Sequence, residues 1–313
     1  MSKITPGHTL TPKTKEELQV LIDAEIKKNG NQCDLNHIDV SFITDFSCLF
    51  WRSKFNGSIS RWDVSGADNM NLMFANATFS GDISKWDVSN VVSMNYLFFE
   101  SKFNGDVSKW NVSNVESMNS TFRDSKFNGD ISKWNTSKVT DMVCIFSGSV
   151  FSRDISRWNV SSVTDVSYAF YDSKFNGDIS RWDVSSITNT CGLFRQSKFK
   201  GNILGWNVSS VKDMSYMFEG SGFSGDLSRW DVSSVEIMKS MFHNSKFEGD
   251  ISSWNRLSIK DGESMFLESL FAKKLGISDP SFEQVRSHFL SLKLEAGLQE
   301  TSSRQGKASK VRL

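Results

Sequence analysis

Proline is scarce in this chain, and no charge of one sign is in excess. The 313 residues include only 3 Pro, all near the ends, so one continuous architecture without a Pro-rich linker is expected. Lys plus Arg and Asp plus Glu both number 36, which gives a formal net charge of zero. No global field would therefore draw the chain to nucleic acid or to an anionic membrane. We expect neither nucleic acid nor a membrane span among its interactions.

Long apolar runs are also missing. No stretch approaches the roughly 18 apolar residues from which a membrane-spanning helix is inferred. The opening residues, MSKITPGHTLTPKTK, contain no apolar run like the core of a signal peptide. By sequence alone the expected location is cytoplasmic, and export by a leaderless route stays open.

Cysteine and histidine are few and irregularly placed. Cys33, Cys48, Cys144 and Cys191 include no CxxC pair, so reduced, partly buried thiols are favoured over a disulfide framework or a metal site. The chain contains no HExxH, GxSxG or P-loop motif, and its one GxGxxG match, in EGSGFSGD at 219–226, is interpreted as a coil corner with an extra Gly. His37 lies near Cys33 in the sequence, but packing in an N-terminal cap is the favoured interpretation over a Cys/His dyad. We expect no enzyme, no cofactor and no metal.

Aromatic residues, by contrast, are abundant and recur with a period of 24 residues. If Trp is counted as position 0 of each unit, Phe recurs at position +12 and at position −7. Ile38 takes the Trp place one step upstream, so ten units run over 38–277. The tryptophans of this register are Trp62, Trp86, Trp110, Trp134, Trp158, Trp182, Trp206, Trp230 and Trp254.

The apolar positions within each unit predict its conformation. Apolar residues at +5, +8 and +12 have the spacing of one face of a short helical segment. The stretch from −4 to +2, DISKWDV in one unit, reads as a short strand. A single unit cannot bury its apolar residues, but stacked neighbours can. The predicted fold is a leucine-rich-repeat-like solenoid, with a short strand and a short helical segment in each coil.

Position +1 is always Asp or Asn in the Trp units. Both side chains have an acceptor oxygen at the same reach, so we predict a hydrogen bond from the backbone N–H two residues on. Calcium binding by this column is the weaker alternative, because hard cations favour several converging carboxylates.

Helical caps are expected at both ends of the stack. Thr14 followed by Glu17 has the pattern of a capping box, and Pro280 fits the first turn of a second helix. The predicted division is an N-terminal segment with a capping helix (1–37), ten repeats (38–277), a C-terminal capping helix (278–300) and a disordered basic tail (301–313).

Candidate binding residues stand where the repeat rule is broken. Large aromatic residues occupy the otherwise variable positions +10 and +13, and such residues are typical anchors of protein interfaces. The alternative is that they only cover the ends of the short helices. A further break is NILGW, where Leu204 replaces the usual Ser. The candidates are Trp51, Phe99, Tyr171, Tyr96, Tyr168, Tyr216 and Leu204.

The repeated words FNGDISxWDVSxVxxMxxMF resemble those of the BspA-like leucine-rich-repeat proteins, a group of bacterial and protist surface proteins. The resemblance covers about residues 35–277, and TPKTKEELQVLI resembles the leader helices that precede such repeats. It implies a right-handed solenoid without catalysis that binds host or matrix proteins at a cell surface, as in adhesion.

Two functions therefore remain open at this point. Family precedent favours an adhesin-like surface or secreted protein, whereas zero net charge, unpaired cysteines and the lack of an export signal favour an intracellular scaffold or an immunity-type neutraliser of a partner. In both cases the expected partner is a protein and the expected state is a monomer. An enzyme is the distant third.

Overall fold

The computed structural model describes residues 9–255 and 257–310, with backbone alone over 300–310. Its helices are α1 (Lys15–Asn29), α2 (Leu270–Leu275) and α3 (Phe282–Lys310). Ten coils of 24 residues follow α1, and we number them from the one that begins at Ile38; the last, 254–277, contains α2, which the repeat pattern did not predict. Across the described ranges, no helix has the length and apolar character needed to cross a membrane.

The segment of each coil predicted to be helical consists of consecutive turns instead. In coil 2 the N–H of Met73 donates to the carbonyl of Met70 at 3.3 Å, and the N–H of Ala77 donates to that of Phe74 at 3.2 Å. Leu72 and Asn76, within these turns, have φ of 60° and 56°. The same left-handed pair recurs at +10 and +14 of every coil. The helix prediction was wrong.

The reason lies in the hydrogen bonds between coils. The N–H groups at +8, +10, +12 and +14 each donate to a carbonyl of the following coil, as Met70 does to Ser93 at 3.0 Å. A helix would use its N–H groups within itself and leave none for the neighbouring coil. The spacing of apolar residues determines which side chains face inward, and a helix and consecutive turns both fit that spacing.

The predicted strand is likewise replaced by turns. Where coil 2 meets coil 3, which begins at Trp86, the N–H of Trp86 donates to the carbonyl of Ile83 at 3.2 Å, and the N–H of Ser84 donates to Asp82 Oδ1 at 2.9 Å. Side chains of Asp and Ser that bond to nearby backbone compete with strand pairing. Within the described residues, the strand-type pairing between coils is limited to isolated parallel bridges at +7, from Asp45–Asn69 to Ile237–Asp261.

Stacked aromatic rings fill the interior. Trp134 and Trp158 have ring centroids 6.4 Å apart and planes within 2°. Phe146, at +12, lies 4.2 Å from Phe151 and 5.8 Å from Trp158. Each of the nine ladder indoles donates its N–H to a carbonyl 27 residues earlier in the chain, as Trp158 does to Ile131 at 3.0 Å. The Trp ladder therefore combines apolar burial with a satisfied polar atom in coils 2 to 10.

The predicted role of the Asp and Asn column is confirmed. Asp183 Oδ1 accepts the N–H of Ser185 at 3.1 Å, and Asn207 Oδ1 accepts that of Ser209 at 3.2 Å. The Ser185 hydroxyl also donates to Asp183 at 2.6 Å, and these bonds hold the pKa of Asp183 below its ordinary value of 3.8. One acceptor oxygen serves both residue types.

Asp183→Asn is expected to leave stability at neutral pH almost unchanged and to reduce its loss in acid. Because the folded-state pKa is depressed, this carboxylate stabilises the fold above its unfolded pKa, and the contribution is lost as pH falls through the folded value. Melting temperatures at about pH 7 and about pH 3 test this, since protonation matters only at the lower pH. A gap between variant and parent that is the same at both pH values would contradict it.

The helix α1 lies at the N-terminal end of the stack and begins at the predicted capping residue. Thr14 Oγ1 accepts the N–H of Glu17 at 3.2 Å, and α1 ends before Gly30, whose φ is 80°. Leu18 and Ile22 are fully buried against the first coil. Apolar residues on one face of α1 thus cover the open end of the stack.

The C-terminal end differs from the prediction in two respects. Ser281 caps α3, so Pro280 precedes the helix and does not lie in its first turn. The Ser281 hydroxyl accepts the N–H of Gln284 at 3.3 Å, and Gln284 Oε1 accepts the N–H of Ser281 at 2.8 Å. The helix then continues to Lys310, so 301–310, predicted as a disordered tail, is helical. A polar composition without Pro does not end a helix. Residues 311–313 lie outside the described residues.

Candidate interaction surface

Positions +10 and +13 of the ten coils lie on one row of turns, which we call the turn ridge; most of these residues are half-buried or exposed, and five are buried, namely Ala75, Ser120, Ser147, Gly192 and Ser240. Position +13 carries nine different residue types in ten coils, whereas the adjacent +12 is Phe in all ten. Position +3, which is also in a polar part of the coil, is Ser in nine of ten. The +13 side chains are Trp51, Ala75, Phe99, Arg123, Ser147, Tyr171, Arg195, Glu219, His243 and Leu267.

All tyrosines of the chain lie on this ridge. The chain has 4 Tyr, namely Tyr96, Tyr168, Tyr171 and Tyr216, and each is half-buried. They stand on turns whose +10 residues have left-handed φ, for example 57° at Tyr96. A bulky side chain in this region is unfavourable, so the surrounding hydrogen bonds must impose the conformation.

The ridge carries aromatic pairs in two places. Tyr96 and Phe99 meet edge to face at 5.8 Å, and Tyr168 and Tyr171 do so at 6.0 Å. In the first coil Trp51 is 47% exposed, which makes it the most open aromatic side chain of the ridge. Rigid aromatic side chains of this kind offer apolar contact at little cost in conformational entropy.

Arg195 connects the second pair to a row of charges. Its guanidinium lies 5.7 Å from the ring centre of Tyr171 and 5.4 Å from that of Tyr216. It forms an ion pair with Glu219: Nη2 donates to Oε1 at 3.0 Å, and Nε lies 3.0 Å from Oε2 without the geometry of a hydrogen bond. Glu219 is in turn 3.7 Å from Nδ1 of His243. This part of the ridge is both aromatic and charged, and packing fixes its geometry.

Tyr168 makes a second, neutral contact. The thiol of Cys191 donates to its hydroxyl at 3.5 Å, and the hydroxyl of Ser215 donates to the same sulfur at 3.6 Å. Burial, followed by this hydrogen bond, raises the pKa of Tyr168, so its hydroxyl stays protonated at neutral pH.

Gly192 makes room for the ring of Tyr168. Its φ is 60°, and a Cβ there would lie 2.4 Å from Cε1 of Tyr168. Gly192→Ala is expected to lower the free energy of unfolding by about 1–3 kcal/mol and to displace the tyrosine. Gly205→Ala is the matched control, because no atom lies within 4 Å of its Cβ position and its φ is not left-handed. Urea unfolding of both variants checks this, and equal stabilities would contradict it.

The structure brings together most of the candidate residues but not all. Tyr168, Tyr171 and Tyr216 join through Arg195, and Tyr96 pairs with Phe99. Leu204 is half-buried at position −2, and no described ring contact or hydrogen bond joins its side chain to the ridge. Sequence reasoning missed Arg195, Glu219 and His243, although the diversity of the +13 column was the signal that marked them.

The described residues include no metal-binding group, and their cysteines are free thiols. In the described part of the chain, no group of three or more His, Cys, Asp or Glu residues has a geometry that could hold a metal ion. Cys33, Cys144 and Cys191 are free and half-buried, as predicted. Cys48 differs, because it is exposed on the ridge. Burial raises the pKa of the Cys144 thiol, which lowers its reactivity.

One protein family matches the chain. The model of the family described as "Mycoplasma protein of unknown function, DUF285" matches four overlapping segments, 22–126, 79–177, 100–198 and 170–278. Together they span 22–278, which includes all ten coils and part of α1. No curated protein and no solved structure matches the chain.

Proposed function

We propose, on the premise that the chain belongs to this DUF285 family of repeat proteins, that it is a non-enzymatic scaffold whose turn ridge binds a protein partner. The observation that carries the proposal is the contrast between +12, which is Phe in all ten coils, and +13, which holds nine residue types. Core positions are constrained by packing, and an adjacent diverse position with fixed geometry is the usual binding element of repeat proteins.

The composition of the ridge supports a protein as the partner. Tyr, Trp and Arg are the residues most enriched among interface anchors, and all 4 Tyr lie there. The ion pair between Arg195 and Glu219 adds a fixed polar pattern that recognises complementary groups.

The finer assignment is a leucine-rich-repeat-like solenoid of the BspA-like kind, acting in adhesion to a host or matrix protein. Its support is the fit of the repeated FNGDISxWDVSxVxxMxxMF words and the stacking of one coil per repeat. The intracellular alternative, a scaffold or a neutraliser of a partner, is supported by the four free thiols.

Crosslinking from defined positions tests the proposal. A photoreactive amino acid at Phe99 or Tyr171 reports on the ridge, and one at the exposed Lys109 or Arg181, both at position −1, serves as the matched control. The proposal predicts that both ridge positions capture the same protein in source cells while both control positions do not. Capture from Lys109 and Arg181 alone would overturn it.

Protease treatment of intact source cells distinguishes a location at the cell surface from a location inside the cell. Loss of the protein while a cytosolic marker survives would favour the adhesin-like role, and full protection would favour the intracellular one. Because the ridge experiment does not depend on location, either outcome leaves its result interpretable.

A further inference from the structure

The last coil, coil 10, has no following coil to accept hydrogen bonds from its main-chain N–H groups. At each of the nine junctions between coils, four N–H groups donate to the next coil, at +8, +10, +12 and +14. In coil 10 the equivalent residues are Gly262, Ser264, Phe266 and Glu268. Only Glu268 donates, to the carbonyl of Ser278 at 3.2 Å. The other three N–H groups have no acceptor among the described residues.

A groove lies beside two of these donors. It has a volume of about 420 Å³ and is bounded by Gly262 and Ser264 on the coil and by Pro280 and Phe282 before and in α3. Gly262 is exposed and Ser264 is half-buried, so their N–H groups lie next to open space. Phe266 is fully buried below them. A row of unpaired main-chain groups at the edge of a stack is a template for pairing with another chain, so this edge favours a ligand that supplies acceptors.

The sequence itself enlarges this groove. Position +8 is a buried apolar residue in most coils, for example Met214 and Met238, both fully buried. Coil 10 has Gly262 there instead. The missing side chain leaves space beside Ile259 and Met265, which also line the groove. Lys260, Asp279 and Ser281 also line the groove, so an apolar side chain of a ligand would contact the part formed by Ile259 and Met265.

The repeated junction defines the ligand. The same N–H groups in nine coils meet main-chain carbonyls on every second residue of a parallel neighbouring segment, so the complementary chemistry is that of a polypeptide backbone. A second copy of the chain would have to offer the carbonyls of its first coil. That edge lies against α1, where Lys15 Nζ is 3.0 Å from Asp45 Oδ2 and also donates to Ser47 Oγ.

We propose that the edge of coil 10 at Gly262 and Ser264 is a docking site for a segment of another polypeptide, which adds to the stack through its main-chain carbonyls and places an apolar side chain in the groove. The segment runs parallel to coil 10. Ser264 is also the +10 residue of the turn ridge in coil 10, but this site uses main-chain N–H groups at the end of the stack and does not depend on the binding function proposed for the ridge side chains.

A peptide titration tests this proposal. The probe is an acetylated and amidated peptide with the sequence of residues 210–220, SVKDMSYMFEG, because the carbonyls of Asp213, Ser215 and Met217 accept from the preceding coil in the intact chain. Amide resonances of the isotope-labelled full chain are followed as the peptide is added. We expect saturable shifts at Gly262 and Ser264, and none with a scrambled peptide.

Two variants of one residue provide the decisive comparison. Gly262→Pro removes the N–H and is expected to weaken peptide binding about ten-fold or more, the effect of losing one such hydrogen bond. Gly262→Ala keeps the N–H, and its Cβ would make an ordinary 3.5 Å contact with Ile259 Cγ2, so it should bind nearly as well as the parent. Thermal melts establish that both variants are folded.

Other outcomes would overturn the proposal. These are equal binding by the Pro and Ala variants, no saturable shift up to about 1 mM peptide, equal binding of the scrambled peptide, or shifts confined to the first coil. If Gly262→Pro fails to fold, the shift map of the parent chain still decides the question. Concentration-dependent self-association without peptide would assign the edge to a second copy instead.

Discussion

Trp158→Ala is expected to lower the free energy of unfolding by about 3–5 kcal/mol, the largest effect of any single change considered for this fold. Trp158 is 3% exposed in the middle of the stack. Its ring lies 6.4 Å from that of Trp134 and 5.8 Å from that of Phe146, so truncation opens a cavity between two coils. The coils on either side are held by main-chain bonds and cannot close the gap.

Trp158→Phe is the matched control for the polar part of this effect. It keeps most of the apolar ring but leaves the carbonyl of Ile131 without its indole donor, so a smaller loss of about 1–3 kcal/mol is expected. Urea unfolding followed by circular dichroism measures both. If the Ala variant lost less than the Phe variant, the aromatic ladder would not be the source of stability.

The second large effect concerns binding. Once a partner is identified, Tyr171→Ala is expected to weaken its affinity by about 1–3 kcal/mol, or roughly 5- to 150-fold. Tyr171 packs edge to face against Tyr168 and lies under the guanidinium of Arg195. Its removal therefore deletes an interface anchor and also removes a ring that Arg195 packs against. Trp51→Ala and Phe99→Ala should act in the same direction.

Arg181→Ala, at an exposed position outside the ridge, is the control for the affinity series. Calorimetric titration gives the affinities, and thermal unfolding of each free variant separates the two possible roles of the ridge aromatics. Lower affinity with little change in melting temperature supports an interface. Large losses of melting temperature with unchanged affinity would identify these residues as packing residues and would contradict their role as anchors.

The periodic part of the fold could be predicted from the sequence. The positions of Trp, of Phe at +12 and of the Asp or Asn at +1 follow from their spacing alone, because burial and a local acceptor bond depend on side-chain type. The N-terminal cap was predictable for the same reason, since Thr14 and Glu17 act locally.

The conformation of the turns could not be predicted. A left-handed φ, as found at +10 and +14, is usually adopted by Gly, yet residues such as Leu72, Cys144 and Tyr216 adopt it at +10. The conformation arises from main-chain hydrogen bonds to the next coil. The sequence of a single repeat does not show these bonds, because they form between two repeats. An apolar pattern at +5, +8 and +12 therefore indicated a helix where the chain forms turns.

Only part of the candidate surface could be recognised in the same way. The aromatic residues at +10 and +13 were evident as breaks in the repeat. The ion pair of Arg195 with Glu219 was not, because it depends on two side chains 24 residues apart being placed side by side by the stack. The open edge at Gly262 became visible only from the four bonds that the other junctions make.

Radical footprinting with and without the crosslinked partner tests the central claim most directly. Oxidation rates are compared at the ridge side chains Trp51 and Tyr171 and at exposed apolar side chains elsewhere, Phe42, Leu257 and Leu290. If the turn ridge is the binding surface, the partner lowers oxidation of Trp51 and Tyr171 and leaves the other three unchanged. Protection of Phe42, Leu257 or Leu290 with an unprotected ridge would contradict the account.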